Sequence, residues 1–210
     1  MQPLNYKNFK AGAIITLLFA AVLFTGVYVK GNIDLFLTLN SNLGVLADWF
    51  FRLVTNGGDG IMWAVMLFVL LYILKRKDAL PLLISCFVFT TLFTQVCKYI
   101  IVPDEPRPIK AIPDTSLIHT VPGVELHTIS SFPSGHTAAA FSFYLLLCLL
   151  LPKKSWLAVG AFCALLVAYS RIYLAQHFPV DLAAGMITAL VSVLLSILIQ
   201  KGFEKRRVPR

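Results

Sequence analysis

Two histidines, one aspartate and three cations stand out in this sequence because their types and spacing suit phosphate chemistry. They fall in three places: Lys98 with Arg107-Pro108, then Pro133-Ser134-Gly135-His136, then Ser170-Arg171 with His177 and Asp181. His177 and Asp181 are four residues apart, so they share one face wherever the chain is helical. A carboxylate beside an imidazole accepts the Nδ1 proton and leaves Nε2 free as nucleophile or base. His136 is a second imidazole on a different segment, suited to act as the acid. Residue types alone leave open which histidine is the nucleophile. Pro133 fits the first turn of a helix, which would place Ser134, Gly135 and His136 in that turn. There the backbone N–H groups lack intrahelical acceptors and the positive dipole end favours an anion. Gly135 has no Cβ to hold that anion away. Lys98, Arg107 and Arg171 add positive charge, Arg matching planar oxygens and Lys acting as a point charge. Nucleophile, orienting carboxylate, acid and anion clamp together make a phosphotransfer site. Its cations neutralise the transition state, so neither a metal nor a cofactor is expected.

The elements that must hold these residues are apolar. Of 210 residues, 58% are hydrophobic and 13% are charged, against roughly 45–50% and about 25% in an average soluble domain. That composition excludes an ordinary soluble globule and a disordered chain. Six apolar runs are visible: 11–29, 61–74, 80–96, 137–151, 156–169 and 183–199. A bilayer core takes about 20 apolar residues per helix. The expected fold is therefore all-α, a polytopic membrane protein of six transmembrane helices in a single domain over 1–210. The first run is expected to be an uncleaved anchor, because no small-residue cleavage site closes it. Asp34 to Arg52 is apolar but interrupted by polar residues, and reads either as an interfacial helix between the first and second spans, with Trp49 at headgroup depth, or equally as a loop helix packed on the bundle. Asp59 is the expected N-cap of the second span.

Six spans put both termini on one side. Twelve basic residues then fall on that side, from Lys7 and Lys10 through Lys75-Arg76-Lys77, Lys153-Lys154 and the tail 201–210. Six fall opposite: Lys30, Arg52, Lys98, Arg107, Lys110 and Arg171. The positive-inside rule makes the terminal side cytoplasmic. The net charge of +8 is then mostly a topology signal touching anionic lipid, and no nucleic-acid partner is expected. No obligate protein partner is evident either. Half of the six outer cations belong to the polar constellation, which therefore sits at the outer, periplasmic end of the spans. Ionisable groups at span ends are functional candidates by default. The four cysteines lie in apolar runs without zinc-like spacing.

The three clusters resemble the signature motifs of the type 2 phosphatidic acid phosphatase superfamily, whose members include bacterial membrane lipid phosphatases. Pro133-Ser134-Gly135-His136 and Ser170-Arg171 with His177 and Asp181 match the second and third motifs without deviation. The first departs from the usual pattern: eight residues, Tyr99 to Pro106, separate Lys98 from Arg107-Pro108 where six are usual. The resemblance implies that His177 attacks phosphorus to form a phosphohistidine while Asp181 orients its ring. It implies that His136 protonates the leaving oxygen and then helps activate water. Lys98, Arg107, Ser134, Gly135 and Arg171 would hold the phosphoryl oxygens.

A site at the membrane surface favours a lipid phosphate whose tails stay in the bilayer. The candidates are undecaprenyl pyrophosphate, phosphatidylglycerol phosphate, phosphatidic acid and lipid A, handled in a bacterial inner membrane. Within the outward, periplasmic loop 103–132, the segment Ile109 to Phe132, with Lys110, Asp114, His119, Glu125 and His127, is the expected selector among them. A soluble phosphate ester is the weaker alternative. A transporter using His177 and Asp181 as a proton relay would need polar residues along the span middles, which are nearly free of charge.

Overall fold

The structure, a computed structural model, describes residues 3–207. Met1, Gln2 and 208–210 lie outside the described residues, and with them the last part of the expected basic tail 201–210. Among the described residues nine α-helices follow one another: α1 (Tyr6–Lys30), α2 (Asn32–Leu39), α3 (Val45–Val54), α4 (Gly60–Phe68), α5 (Leu80–Val96), α6 (Pro108–Ala111), α7 (Gly135–Leu150), α8 (Ser155–Tyr173) and α9 (Pro179–Arg207). No strand occurs among the described residues, as expected of an all-α chain.

Four helical stretches among the described residues are long and apolar enough to cross a membrane: Tyr6–Lys30, Lys77–Ile101, Ser155–Tyr173 and Pro179–Arg206. A fifth is formed if the bent pair Val45–Gly58 and Gly60–Ile73 counts as one span, with 65° between its halves. The chain is thus a helical integral membrane protein with four to five spans by this measure, where six were expected. The difference lies in the second and fourth runs. The second emerges from a bend rather than running straight. The fourth is α7, with 16 residues and about 24 Å of helix at 1.5 Å per residue, short for a hydrocarbon core of about 30 Å. Its surroundings explain why it tolerates that length. α7 packs against α1, α5, α8 and α9, and from Thr137 to Leu150 only Leu147 is not fully buried. A helix enclosed by other helices need not match the bilayer. The outer helices do face lipid: Leu18 and Val22 on α1 are 61% and 67% exposed, and apolar side chains stand outward along α5 and α9 as well.

The expected interfacial helix over Asp34–Arg52 is two helices, α2 and α3, separated at Asn40–Gly44. Asn40 is the cause. Its buried amide donates to the carbonyls of His119, Ile172 and Tyr173, and its Oδ1 accepts from His119 N–H. Those bonds hold the backbone where a helix would have to continue, and Gly44 at φ +89° completes the turn. α3 then packs on α8. Phe51 meets Tyr169 and Tyr173, and Asp48 accepts from Tyr173 Oη at 2.5 Å and pairs with His119 Nε2 at 3.1 Å. Trp49 is 59% exposed on the outer side of this helix.

Several polar side chains inside the bundle find hydrogen-bond partners within it. Thr188, Ser192 and Ser196 on α9 each donate to the carbonyl four residues back, and Thr90 of α5 bonds Ser142 of α7 at 3.0 Å. Gln200 of α9 accepts from Leu82 N–H and donates to Asp78 O, tying down the start of α5. The same helix is grooved for close approach at Gly185, where a Cβ would lie 2.7 Å from Ser134 O. α9 can therefore bring Asp181 against the start of α7.

Candidate active site

The start of α7 is built differently from the proline-led turn expected. Pro133 follows a cis peptide and stands before the helix. Ser134 is the N-cap, its Oγ accepting from Thr137 N–H at 3.4 Å and from Thr137 Oγ1 at 2.9 Å. The Ser134 amide does not face an anion either, since it donates to Asp181 O at 3.0 Å. That bond fastens the second cluster to the third. The amides of Gly135 and His136 are left as the first two of the helix without intrahelical acceptors, and a Cβ on Gly135 would meet nothing within 4 Å.

The third cluster closes on itself. α8 ends at Tyr173, and the amides of Gln176 and His177 both turn back to Arg171 O. Pro179 opens α9, as expected of a proline at a first helical position. His177 Nδ1 lies 3.4 Å from Asp181 Oδ2. The same carboxylate oxygen accepts from Phe178 N–H at 2.9 Å and from Ser131 Oγ at 2.5 Å. Ser131 Oγ is also 3.4 Å from His177 Nδ1. Since the serine hydroxyl is spent on Asp181, its lone pair is what faces the ring, and Nδ1 is the protonated nitrogen. Burial, reinforced by Arg107, Arg171 and Lys98, holds His177 well below the usual imidazole range. The ring is then neutral at pH 7, with the free lone pair on Nε2.

The three cations differ in how they are held. Lys98 rides on a π-helical turn, Cys97–Ile101, that ends the third membrane stretch, a widened turn of the kind that often marks functional positions. It has no hydrogen bond or ion pair among the described residues. Arg107 is bound to protein acceptors: Nε to Ile129 O, Nη1 to Gln176 O and Oε1, and Nη2 to Ser130 O. As a phosphate ligand it is therefore less free than expected, because four of its donors already fasten the outward loop. Arg171 gives Nη1 to Thr55 Oγ1 at 2.5 Å, while its buried Nε has no hydrogen-bond partner among the described residues. An unsatisfied guanidinium N–H is costly to bury, and an oxyanion is the group that would satisfy it.

Both imidazoles and all three cations lie within electrostatic reach of one another. Four of these five groups open onto two clefts, while the buried His177 lines neither. One, of about 520 Å³, is lined by His136, Arg171, Asp59 and Thr55, and the other, of about 510 Å³, by Lys98 and Arg107. The longer Lys98–Arg107 interval thus still delivers both side chains to one cleft. Glu125 and His127 line both clefts. The other loop residues are used elsewhere: His119 is clasped by Asp48 and Asn40, and Asp114 caps its own turn at Ser116.

Four residues that sequence reasoning passed over belong to this arrangement: Ser131, Gln176, Thr55 and Asp59. Asp59 stands at the N-cap position of α4, but its side chain makes no capping bond. It reaches instead to His136 Nε2 at 2.7 Å. Proximity in sequence carries no signal for that pair. Ser131 and Gln176 each lie within three residues of a motif, which is the one hint the chain offered.

Among the described residues no three of His, Cys, Asp and Glu come together as a metal-binding group. Comparisons with known proteins find relatives named as lipid phosphatases. The undecaprenyl-diphosphatase of Sulfolobus acidocaldarius is 30% identical over 170 residues, covering 80% of this chain and 78% of that protein. The lipid A 4'-phosphatase of Bacteroides thetaiotaomicron is 30% identical over 149 residues, 67% of this chain and 64% of its own. The crystal structure of Aquifex aeolicus LpxE superposes with a TM-score of 0.67 at 27% identity, covering 80% of this chain and 94% of that one. Residues 79–205 match the PAP2 superfamily, and the chain accordingly belongs to that superfamily, as a metal-independent membrane lipid phosphatase.

Proposed function

We propose that this phosphatase removes phosphate from a lipid of the undecaprenyl pyrophosphate or lipid A type at the outer face of the membrane, through a phosphohistidine on His177. The observation that carries the reading is the neutral, buried His177 with Nδ1 directed at Asp181 and Ser131, among three cations. Undecaprenyl pyrophosphate is the first candidate, because the relative named for that substrate aligns over 80% of this chain. The charge asymmetry supports two cytoplasmic termini and a periplasmic site, with α7 and the bent pair completing six spans.

In this mechanism His177 Nε2 attacks phosphorus while Asp181 and Ser131 hold the Nδ1 proton. The P–O bond to the leaving group breaks, and protonated His136 gives its proton to the departing oxygen. Lys98, Arg107, Arg171 and the amides of Gly135 and His136 hold the three equatorial oxygens. Water then attacks the phosphohistidine, His136 takes a proton from that water, and phosphate leaves with His177 restored. Ser134 serves this scheme by capping α7 and by anchoring Asp181, and not by giving its amide to phosphate.

The test is phosphate release from undecaprenyl pyrophosphate, lipid A, phosphatidylglycerol phosphate and phosphatidic acid, measured in detergent with and without chelator. The expected result is turnover of at least one of the first two, insensitive to chelator and abolished by His177→Ala. Turnover confined to soluble phosphate esters, or full activity in His177→Ala, overturns the reading.

A further inference from the structure

The five-residue turn Thr55–Asp59 lies before the region that matches the superfamily, which begins at residue 79. Yet it contacts the site at two separate groups. Thr55 Oγ1 accepts from Arg171 Nη1 at 2.5 Å, and Asp59 Oδ1 meets His136 Nε2 at 2.7 Å. The turn is also docked on the helices that carry those groups. A Cβ on Gly58 would lie 2.6 Å from His136 Cβ and 2.8 Å from its Cα, and one on Gly57 would lie 2.9 Å from Val167 Cγ2 of α8. Two glycines thus let the turn wedge between α7 and α8 with its two polar side chains on the acid and the phosphate clamp.

Asp59 gives up something to be there. A helix-capping aspartate contributes roughly 0.5–2 kcal/mol by accepting a backbone N–H, and Asp59 occupies the N-cap position without making that bond. Its carboxylate is instead the anion facing an imidazole in very basic surroundings. Arg171 from α8, His177 from the α8–α9 turn, Lys98 from the π turn after α5 and Arg107 from the outward loop all act on His136. Arg52, Glu125 and His127 line the same cleft. Those cations all disfavour an imidazolium at His136, and Asp59 is the carboxylate in contact with it, at 2.7 Å, the length of a charge-assisted hydrogen bond.

We propose that Asp59 is the positioning carboxylate of His136, holding Nε2–H so that Nδ1 carries the proton given to the leaving oxygen, and that Thr55 fixes Arg171 relative to that acid. The two imidazoles then work through opposite nitrogens, His177 backed at Nδ1 and His136 backed at Nε2. Protons balance: imidazolium Nδ1–H passes to the leaving oxygen as the P–O bond breaks, the neutral ring keeps Nε2–H on Asp59, and Nδ1 regains a proton from the attacking water. The inference rests on the reading of His136 as the acid.

The experiment uses the full chain in detergent, with kcat and KM followed against pH on whichever of lipid A and undecaprenyl pyrophosphate it turns over, the alkoxide released from lipid A having the greater need of a proton. Asp59→Asn keeps the shape and removes the anion. It is expected to lower kcat about 10–100-fold, consistent with part of a general-acid contribution of about 10²–10⁴, with KM within about threefold. Its alkaline limb should move to lower pH by about one unit or more, because the imidazolium has lost its counterion. Asp59→Glu should recover part of the loss. Thr55→Val should instead raise KM several-fold and leave the alkaline limb in place. An unchanged alkaline limb in Asp59→Asn, at any level of activity, overturns the inference. His136→Ala separates the two failures: if it removes the alkaline limb while Asp59→Asn does not move it, only Asp59 is misassigned. If His136→Ala keeps the wild-type limb, the acid reading itself fails and the inference falls with it.

Discussion

The site holds two imidazole–carboxylate pairs that are built in opposite ways. His177 and Asp181 are four residues apart, each with 2% of its side chain exposed, and their carboxylate is held further by Ser131 and by Phe178 N–H. His136 and Asp59 come together from 77 positions apart, with side chains 28% and 42% exposed, at the edge of an open cleft. The closed pair has one tautomer and little contact with water, which suits a nucleophile that must stay neutral and aimed. The open pair can exchange protons with solvent, which suits a group that loses and regains a proton in every cycle. A buried dyad would be slow to recharge, and an exposed nucleophile would be protonated and solvated. Each pair's degree of burial fits one half of the proposed chemistry and not the other.

The sharpest way to break this comparison is Asp181→Asn. An amide there can present its N–H to His177 and favour the wrong tautomer, with Nε2 protonated and no longer nucleophilic. The comparable change in another carboxylate-oriented histidine site costs about 10⁴-fold in kcat, so a loss of about 10³–10⁴-fold is expected here, well beyond that of Asp59→Asn. Steady-state kinetics on the best lipid substrate measures it. Similar losses in the two asparagine variants would show that the pairs do not differ in role.

The same contrast explains what could be read from the chain. His177 and Asp181 were legible because their pairing is local, one helical turn written as a spacing of four. His136, Lys98 and Arg171 were legible as members of short motifs, and the all-α membrane fold followed from apolar runs and charge placement. Asp59 was not, since an aspartate before a helix satisfies the capping pattern whether or not it caps, and only the docking of Gly58 on His136 brings it to the site. The break of α2 from α3 was hidden for a related reason. Asn40 stops the helix through carbonyls of residues 119, 172 and 173, partners that no local window contains. Arg107 was legible as a site residue, but its attachment to the loop carbonyls of 129 and 130 was not.

A smaller effect comes from two glycines that let these pairs form. In Gly58→Ala the new methyl group meets the backbone of His136 on the open side, and in Gly185→Ala it meets Ser134 O at 2.7 Å on the closed side. Gly58→Ala must shift the turn against the first turn of α7. Displacing a catalytic group by about 1 Å can cost about 10²-fold, so a loss of about 10–100-fold in kcat is expected. Gly185→Ala overpacks the contact between α7 and α9, for which about 1–3 kcal/mol is typical. It should therefore lower Tm, by roughly 2–4 °C per kcal/mol in a chain of this size. Thermal unfolding in detergent, paired with kcat, checks both. A Gly58→Ala variant with wild-type kcat would detach the open pair from the chemistry.

The smallest effect tests the neutrality of the closed pair directly. His177 is held well below the usual imidazole range by burial and by Arg107, Arg171 and Lys98. Below about pH 6.5 the unfolded chain protonates this ring and the folded chain does not. The unfolded state then binds more protons, so stability falls as pH falls, by about 1.4 kcal/mol per pH unit for one such group, and it is fully present above the unfolded value. Unfolding temperatures at pH 7.5 and pH 5.5 should therefore drop more for the wild type than for His177→Gln, whose amide cannot titrate. The excess drop is expected to be a few degrees. Equal drops in the two proteins would mean that His177 takes up a proton in the folded state, and a nucleophile that does so near pH 6 would need the open pair's access to water rather than the enclosure that Ser131, Phe178 and Asp181 give it.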